Sequence, residues 1–369
     1  MAITFGTEYT HNNAFTYFSD CAVLDSTHIA VVFVKQDGGP YYDGIIKIGT
    51  ISNDDEITWG DEYTFWDYST EGYSAFYPKV EKLDTNKLVI AWFAPNGSRS
   101  VIATVSNDDE VAFGTRSGSG DRYFNELDLT VLSTTSFVIA GKDSINSTYY
   151  GTASVATVSG TDITYGSNYI FNEADTDYTV IDTLDSTHFV VSYKDDGGDD
   201  YGCSKIGVVS GTTITFGDEY VFNSANTEWI DNCAIDSTHF VISYEDTGNS
   251  GYGTAIIGTV SNGDEISYGS EYVYKSAQAS YNSVCVLDSS TIIVSWRNAA
   301  KSGTFSGSTI TFSSNESSHS GAYNNNALCK ISSTYFLNVW GSSSAGKSVI
   351  GLYTEDVAVN TSNFFLFFN

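Results

Sequence analysis

The sequence predicts an all-β fold, a seven-bladed β-propeller of four-stranded antiparallel blades. Three observations predict it: a repeat of about 50 residues, a composition suited to strands, and chain ends that complement each other.

The repeat is the strongest signal. LDSTHFVVSYKDDGGDDYGCSKIGVVSGTTITFGDEYVFN (184–223) and IDSTHFVISYEDTGNSGYGTAIIGTVSNGDEISYGSEYVYK (235–275) align along nearly their whole length. An apolar anchor recurs at Leu24, Leu83, Leu132, Leu184, Ile235, Leu287 and Ile331, at spacings of 59, 49, 52, 51, 52 and 44 residues. Each repeat offers four strands. Strand a ends at the anchor (NSVCVLD), b resembles FVVSY, c resembles SKIGVVS, and d resembles ITFGDEYVF. Apolar and polar residues alternate in b, and β-branched and aromatic residues recur at every second position of d, the period of a strand. One such sheet cannot cover both of its faces. Stacking copies around an axis does, and closing the ring protects the sheet edges.

Composition agrees. Tyr (26) and Phe (22) far exceed Met (1) and Pro (3), and the hydrophobic fraction of 41% supplies a core.

The chain ends explain closure. ITFGTEYT (3–10) reads as a d strand with no a, b or c before it, and the last repeat has a, b and c from Leu328 to Tyr353. The N-terminal strand is therefore expected to complete the last blade, making residues 1–369 one domain. The segment 356–369 is then surplus. Its FFLFF run (364–368) needs cover, from its own propeller or from a partner subunit.

A formal charge of −29 argues against nucleic acid and anionic membrane as partners. It fits solubility, with Ca²⁺ as an alternative; the Asp-rich KDDGGDDYG loop offers Asp195, Asp196, Asp199 and Asp200 as weak metal candidates, although its spacing is not that of an EF-hand. No other cofactor is expected. No run is apolar enough to insert in a membrane, and MAITFGTEYT reads as a strand and not as a signal peptide. Five cysteines without CxxC spacing argue against a disulfide framework or a zinc site; Cys233, Cys285 and Cys329 share one repeat position and read as small buried strand residues.

The Asp/Ser/Thr/Tyr/Gly-rich repeats resemble seven-bladed propeller repeat proteins of the lectin-like and of the phage or virion surface kinds. The Trp-Asp signature of WD40 repeats and the di-glycine of kelch repeats are missing. SNDDEITW (52–59) resembles the Asp-box of sialidases, S-x-D-x-G-x-T-W, with Glu56 in place of the Gly. In those families the box is a folding element away from the active site, so the resemblance bears on fold.

Candidate binding residues lie in the d–a and b–c loops. An aromatic stands six residues before the anchor in five of seven repeats: Phe18, Tyr77, Tyr178, Trp229 and Tyr281, with Glu126 and Asn325 in the other two. Asp143, Asp195 and Asp246 share a position eleven after the anchor. Rings cover the apolar face of a sugar and carboxylates accept its hydroxyls, so Tyr77, Tyr178, Trp229, Tyr281 and these three aspartates are the expected ligand-binding set; packing of the rings between blades is the alternative. His28, His188 and His239 end Asp-Ser-Thr-His turns and read as turn residues.

No nucleophile elbow, zinc motif or phosphate loop is present, Arg99, Arg116, Arg122 and Arg297 form no sequence cluster, and the middle repeats are nearly uniform. From these the sequence predicts no catalytic residues and no enzyme. The expected function is a non-catalytic recognition module for a glycan or a surface protein, displayed on a cell, appendage or virus-like particle outside the cell. The alternative is a structural or assembly subunit docking through its C-terminal segment. A glycosidase ranks third, and would need one asymmetric pocket holding a carboxylate pair.

Overall fold

The computed structural model describes residues 1–36, 39–53, 55–118, 123–144, 149–321 and 325–355. The FFLFF run, and with it the proposed surplus segment, lies outside the described residues.

Among the described residues the chain is all-β apart from two single-turn helices, Tyr68–Glu71 and Thr247–Asn249. Among the described residues the strands form six antiparallel sheets; four are built around four strands joined in sequence order, and a fifth joins the last three strands to the N-terminal one. The sixth has eight strands because one long strand, Asp162–Thr183, serves twice. Its first half pairs with Tyr150–Ser159 and its second with His188–Asp195. The N-terminal strand Ala2–Phe5 pairs antiparallel with the last strand, Gly346–Thr354.

Each repeat explains its own sheet. The b strands, such as Phe189 to Tyr193, are buried on both faces, since each packs against a neighbouring sheet on either side. A glycine opens the third strand where a ring from the fourth lies flat against it. A Cβ on Gly151, Gly202 or Gly253 would sit 2.3–2.4 Å from Phe171, Phe222 or Tyr274, so only glycine fits.

The a–b turns behave as expected. Asp25 Oδ1 accepts the N–H groups of Thr27 (2.7 Å) and His28 (2.9 Å), and the His28 ring stacks its Nδ1 against the same carboxylate. Asp185 and His188 repeat the arrangement, as do Asp236 and His239. The Asp-box variant is also explained. Glu56 accepts a hydrogen bond from Asn53 Nδ2 at 2.9 Å and closes the c–d turn, and Asn107–Glu110 and Asn262–Glu265 do the same elsewhere.

The core is divided into wedges between successive sheets. One joins Ala22 and Val32 to Val80 and Ile90, and others follow in chain order. One wedge sets Cys21, Val31 and Phe33 against Leu337, Val339 and Ile350, from the first and last complete repeats. Burial of each such side chain contributes about 1.5–3 kcal/mol. No helix among the described residues is long and apolar enough to cross a membrane.

Candidate functional site

The first strand of every repeat lines one central cavity of about 780 Å³. We number these inner strands β1 (Thr16–Val23), β2 (Phe76–Asp84), β3 (Phe124–Ser133), β4 (Asp162–Thr183), β5 (Thr227–Asp236), β6 (Ser283–Val286) and β7 (Asn326–Lys330). Alternate residues of a strand share a face, so three tiers of side chains, six, four and two before the anchors, face the cavity, with Thr130 alone of these positions outside its lining.

The upper tier is the column of aromatics. Phe18, Tyr77, Tyr178, Trp229 and Tyr281 all line the cavity, with Glu126 and Asn325 completing the collar. Neighbouring rings touch: Phe18–Tyr77 centroids are 4.2 Å apart, Tyr178–Trp229 5.3 Å and Trp229–Tyr281 4.2 Å. From β1 to β5 the residue sits in a bulge of the inner strand. Its backbone is left-handed, with φ of 47° at Phe18, 49° at Tyr77, 51° at Glu126, Tyr178 and Trp229, and 59° at Tyr281. That conformation suits Gly or Asn and costs a bulky residue roughly 1–2 kcal/mol. A chain needing only the bulge would place glycine there. Large rings at five such positions mark the side chains as the purpose.

The two lower tiers hold charge. Asp20, Lys79, Asp128 and Asp231 lie four before their anchors, and Glu81 and Asp182 two before. Each acid bridges to the next inner strand. The Val80 N–H donates to Asp20 Oδ2 (2.8 Å), Val131 to Glu81 Oε2 (2.7 Å), Ile181 to Asp128 Oδ2 (3.0 Å), Ala234 to Asp182 Oδ2 (2.7 Å) and Val284 to Asp231 Oδ2 (2.8 Å). Ser283 Oγ continues the series by accepting from Leu328 N–H at 3.1 Å. Burial pushes Asp182 up to about 6 and Asp231 up to about 7, the latter against the pull of Lys79. Burial raises Glu81 and Asp20 as well. Lys79 pairs with Asp128 at 3.2 Å; burial opposes its charge, but Asp128, Asp20 and Asp231 hold the ammonium above its ordinary range.

The wall is therefore lopsided. In the two lower tiers strands β1 to β5 each carry one carboxylate, while β6 and β7 present Ser283, Cys285, Ala327 and Cys329. Of the three cysteines expected as small buried strand residues, Cys285 is buried, while Cys233 and Cys329 are only half-buried; all three border the cavity, as does the buried Cys21 of the apolar wedge. Burial raises the thiols of Cys21, Cys233 and Cys285.

The sequence reading joined the aromatics and three aspartates into one site, and the structure separates them. Asp143, Asp195 and Asp246 do not line the cavity. They end the b strands and act within their own repeat: Asn172 Nδ2 donates to Asp195 (3.1 Å), and Asn223 Nδ2 and the Asn249 N–H donate to Asp246 (3.4 and 3.1 Å). The same asparagines brace Thr176 and Thr227, so the aspartates secure the d–a loop that carries the ring. Among the weak metal candidates, Asp196 and Asp200 are held by Lys194 at 2.8 and 3.3 Å, and no described group of acidic, His or Cys side chains is arranged to hold a metal.

Sequence reasoning missed the carboxylate tier. Its signal is present as two columns, four and two before the anchor, which show only when repeats are compared position by position.

No protein-family model matches the chain, and no curated protein sequence matches it. Solved structures do. Sqt1 from Chaetomium thermophilum superposes with a TM-score of 0.57 at 9% identity, covering 95% of this chain and 100% of its own. Hadza microbial sialidase Hz136 gives 0.52 at 10% identity, covering 94% and 68%. A protein of unknown function from Dyadobacter fermentans gives 0.51 at 10%, covering 95% and 99%. The shared architecture is β-propeller-like.

The sialidase corrects one expectation. The sequence reading excluded an enzyme, and a catalytic propeller among the neighbours removes the support for that exclusion. The physical basis also fails, because it assumed uniform repeats, whereas the cavity wall is asymmetric and lined by carboxylates. The likeness itself extends to fold alone. Arg99, Arg116 and Arg297 stand outside the cavity lining.

Proposed function

We propose that the chain is a seven-bladed propeller, closed by its N-terminal strand, that binds carbohydrate at the mouth of its central cavity. Closure is supported by the pairing of Ala2–Phe5 with Gly346–Thr354 and by the apolar wedge between the first and last repeats. The long strand Asp162–Thr183 then counts for two blades.

One observation carries the binding reading: five aromatic rings, held at backbone angles that disfavour them, converge on a single cavity. Rings of this kind stack on the C–H face of a pyranose. Glu126 and Asn325, in the gaps of the collar, supply acceptors and donors for sugar hydroxyls. The ligand-binding set becomes Tyr77, Tyr178, Trp229 and Tyr281 with Phe18, Glu126 and Asn325, with Asp195 and Asp246 securing the loops behind; Asp143 holds the equivalent repeat position. Display on a cell or particle surface would bring such a mouth to its glycans.

The test is a glycan array with the intact protein and a Tyr178→Asn/Trp229→Asn variant. Asparagine keeps the left-handed backbone and removes the ring. Binding by the parent that is lost in a variant of unchanged thermal stability is the expected result. Silence from the parent across the array overturns the reading. Glycans that bind are also incubated with the protein and checked for cleavage products, since a related architecture hosts a sialidase.

A further inference from the structure

We propose that the collar selects sugars carrying a protonated amine, as in deacetylated amino-sugar oligomers, over their neutral counterparts. This rests on the carbohydrate reading above and adds the charge of the ligand.

The rings and the charges point the same way. The face of an aromatic ring carries negative electrostatic potential and attracts a cation within about 6 Å. Here two groups of touching rings, Phe18 with Tyr77 and Trp229 with Tyr178 and Tyr281, flank one opening. Glu126 fills the gap between the groups at the position where other repeats place a ring. Its Oε2 accepts only a long 3.4 Å bond from the Tyr178 N–H, and among the described residues no lysine or arginine pairs with it.

The nearest cations are already engaged. Lys142 is clasped by Asp175 at 2.6 Å and Asp177 at 2.7 Å, and Lys79 by Asp128 at 3.2 Å. Burial is the larger cause raising the phenols of Tyr77 and Tyr178, and Glu126, Asp177 and, at Tyr178, Glu228 stand close enough to add to it. Burial and Asp177 raise Glu126 as well, and an ammonium beside it would favour its charged form. A neutral sugar gains stacking and hydroxyl hydrogen bonds, whereas an amino sugar adds the attraction of its ammonium to the ring faces and to Glu126.

The probes are oligomers of glucosamine and of N-acetylglucosamine of equal length, which share a backbone and differ in charge. Calorimetric titration at pH 6 and low salt compares the parent with Glu126→Gln and Trp229→Asn. The parent is expected to bind the amine form at least tenfold tighter, with one oligomer per chain. Glu126→Gln should remove most of that preference, and Trp229→Asn should weaken both oligomers. Equal affinity for the two oligomers overturns amine selectivity and leaves the carbohydrate reading standing. Several oligomers per chain, or an amine preference that survives both substitutions, would mark attraction to the overall −29 charge and overturns the proposal. Binding of neither also overturns it, and the array then decides the carbohydrate reading separately.

Discussion

The contacts among β1 to β6 and the contact between β7 and β1 use different chemistry for the same task. In the first region a carboxylate on each inner strand accepts a backbone N–H of the next, five times in succession. Where β7 meets β1 the equivalent positions are Ala327 and Cys329. There Asn325 Nδ2 donates to Ser19 O at 2.6 Å. Below them the apolar wedge of Val31, Phe33, Leu337, Val339 and Ile350 supplies the cohesion. The chain's two ends meet in this region, through Ala2–Phe5 and Gly346–Thr354. Apolar wedges pack between sheets in both regions; what differs is that carboxylate bridges are added from β1 to β6 and are missing between β7 and β1.

The two regions should differ in what breaks them. Leu337→Ala opens a cavity in the β7–β1 wedge, where Leu337 is fully buried. It is expected to cost about 2–5 kcal/mol in denaturant unfolding. Loss below 1 kcal/mol would mean that the end contact is held by something other than this packing.

Acid should find the same region. His11 lies in the short strand Tyr9–Asn12, which pairs with Gly346–Thr354, and its ring packs on Phe33 at 5.1 Å and Trp59 at 5.7 Å. Among the described residues neither of its ring nitrogens has a hydrogen-bond partner. Burial, with Lys47 and Lys347 nearby, pushes its pKa down to about 3. Below pH 6.5 the unfolded chain takes up a proton that the folded chain refuses, so stability falls from about pH 6.5 toward pH 3. The loss at pH 4.5 is about 2–3 kcal/mol, and His11→Phe should abolish it in a series of melts.

The carboxylate region should show the opposite sign. Asp231 is raised to about 7 in the folded chain. Between pH 4 and 7 the folded form keeps a proton that the unfolded form releases, so stability falls as pH rises. Asp231→Asn keeps an acceptor for Val284 N–H and removes the titration. It is expected to gain about 1–2 kcal/mol at pH 8 relative to pH 4 against the parent, after allowing for solvent in the cavity. An unchanged difference between the two pH values would show that Asp231 titrates normally.

The smallest effect belongs to neither region. Glu56→Ala breaks the exposed Asn53–Glu56 bond at 2.9 Å and should lower stability by about 0.5 kcal/mol at every pH between 6 and 8. A larger loss would give the turns a share of the stability assigned here to the wedges.

Much of this was legible from sequence because repeats convert burial into periodicity. The anchors, the four strands per repeat and the Asp-Ser-Thr-His turns all recur, and local hydrogen bonding decides them. The collar aromatics were visible for the same reason. The pairing of those rings with Asp143, Asp195 and Asp246 was misread, since both columns sit in loops on one side and sequence carries no direction for a side chain. The bulge turns the rings to the axis, and the Asn172 and Asn223 bonds hold two of the aspartates away from it. The carboxylate tier was hidden because its members alternate between two columns: Asp20, Asp128 and Asp231 in one, Glu81 and Asp182 in the other. A search for one conserved-looking column finds neither. The exclusion of an enzyme failed on the same point, since strand b looks uniform while the inner strands do not.

The left-handed bulge has a consequence for change over time. Phe, Tyr, Trp and Glu occupy it in different repeats with φ confined between 47° and 59°. The bulge holds the same backbone for each of these residues. A duplicated repeat thus arrives with a ready-made place for a new contact, though a ring that touches its neighbour changes with it. Descendants of this chain, natural or made in a library, can exchange one preference for another at the mouth without rebuilding the scaffold beneath it.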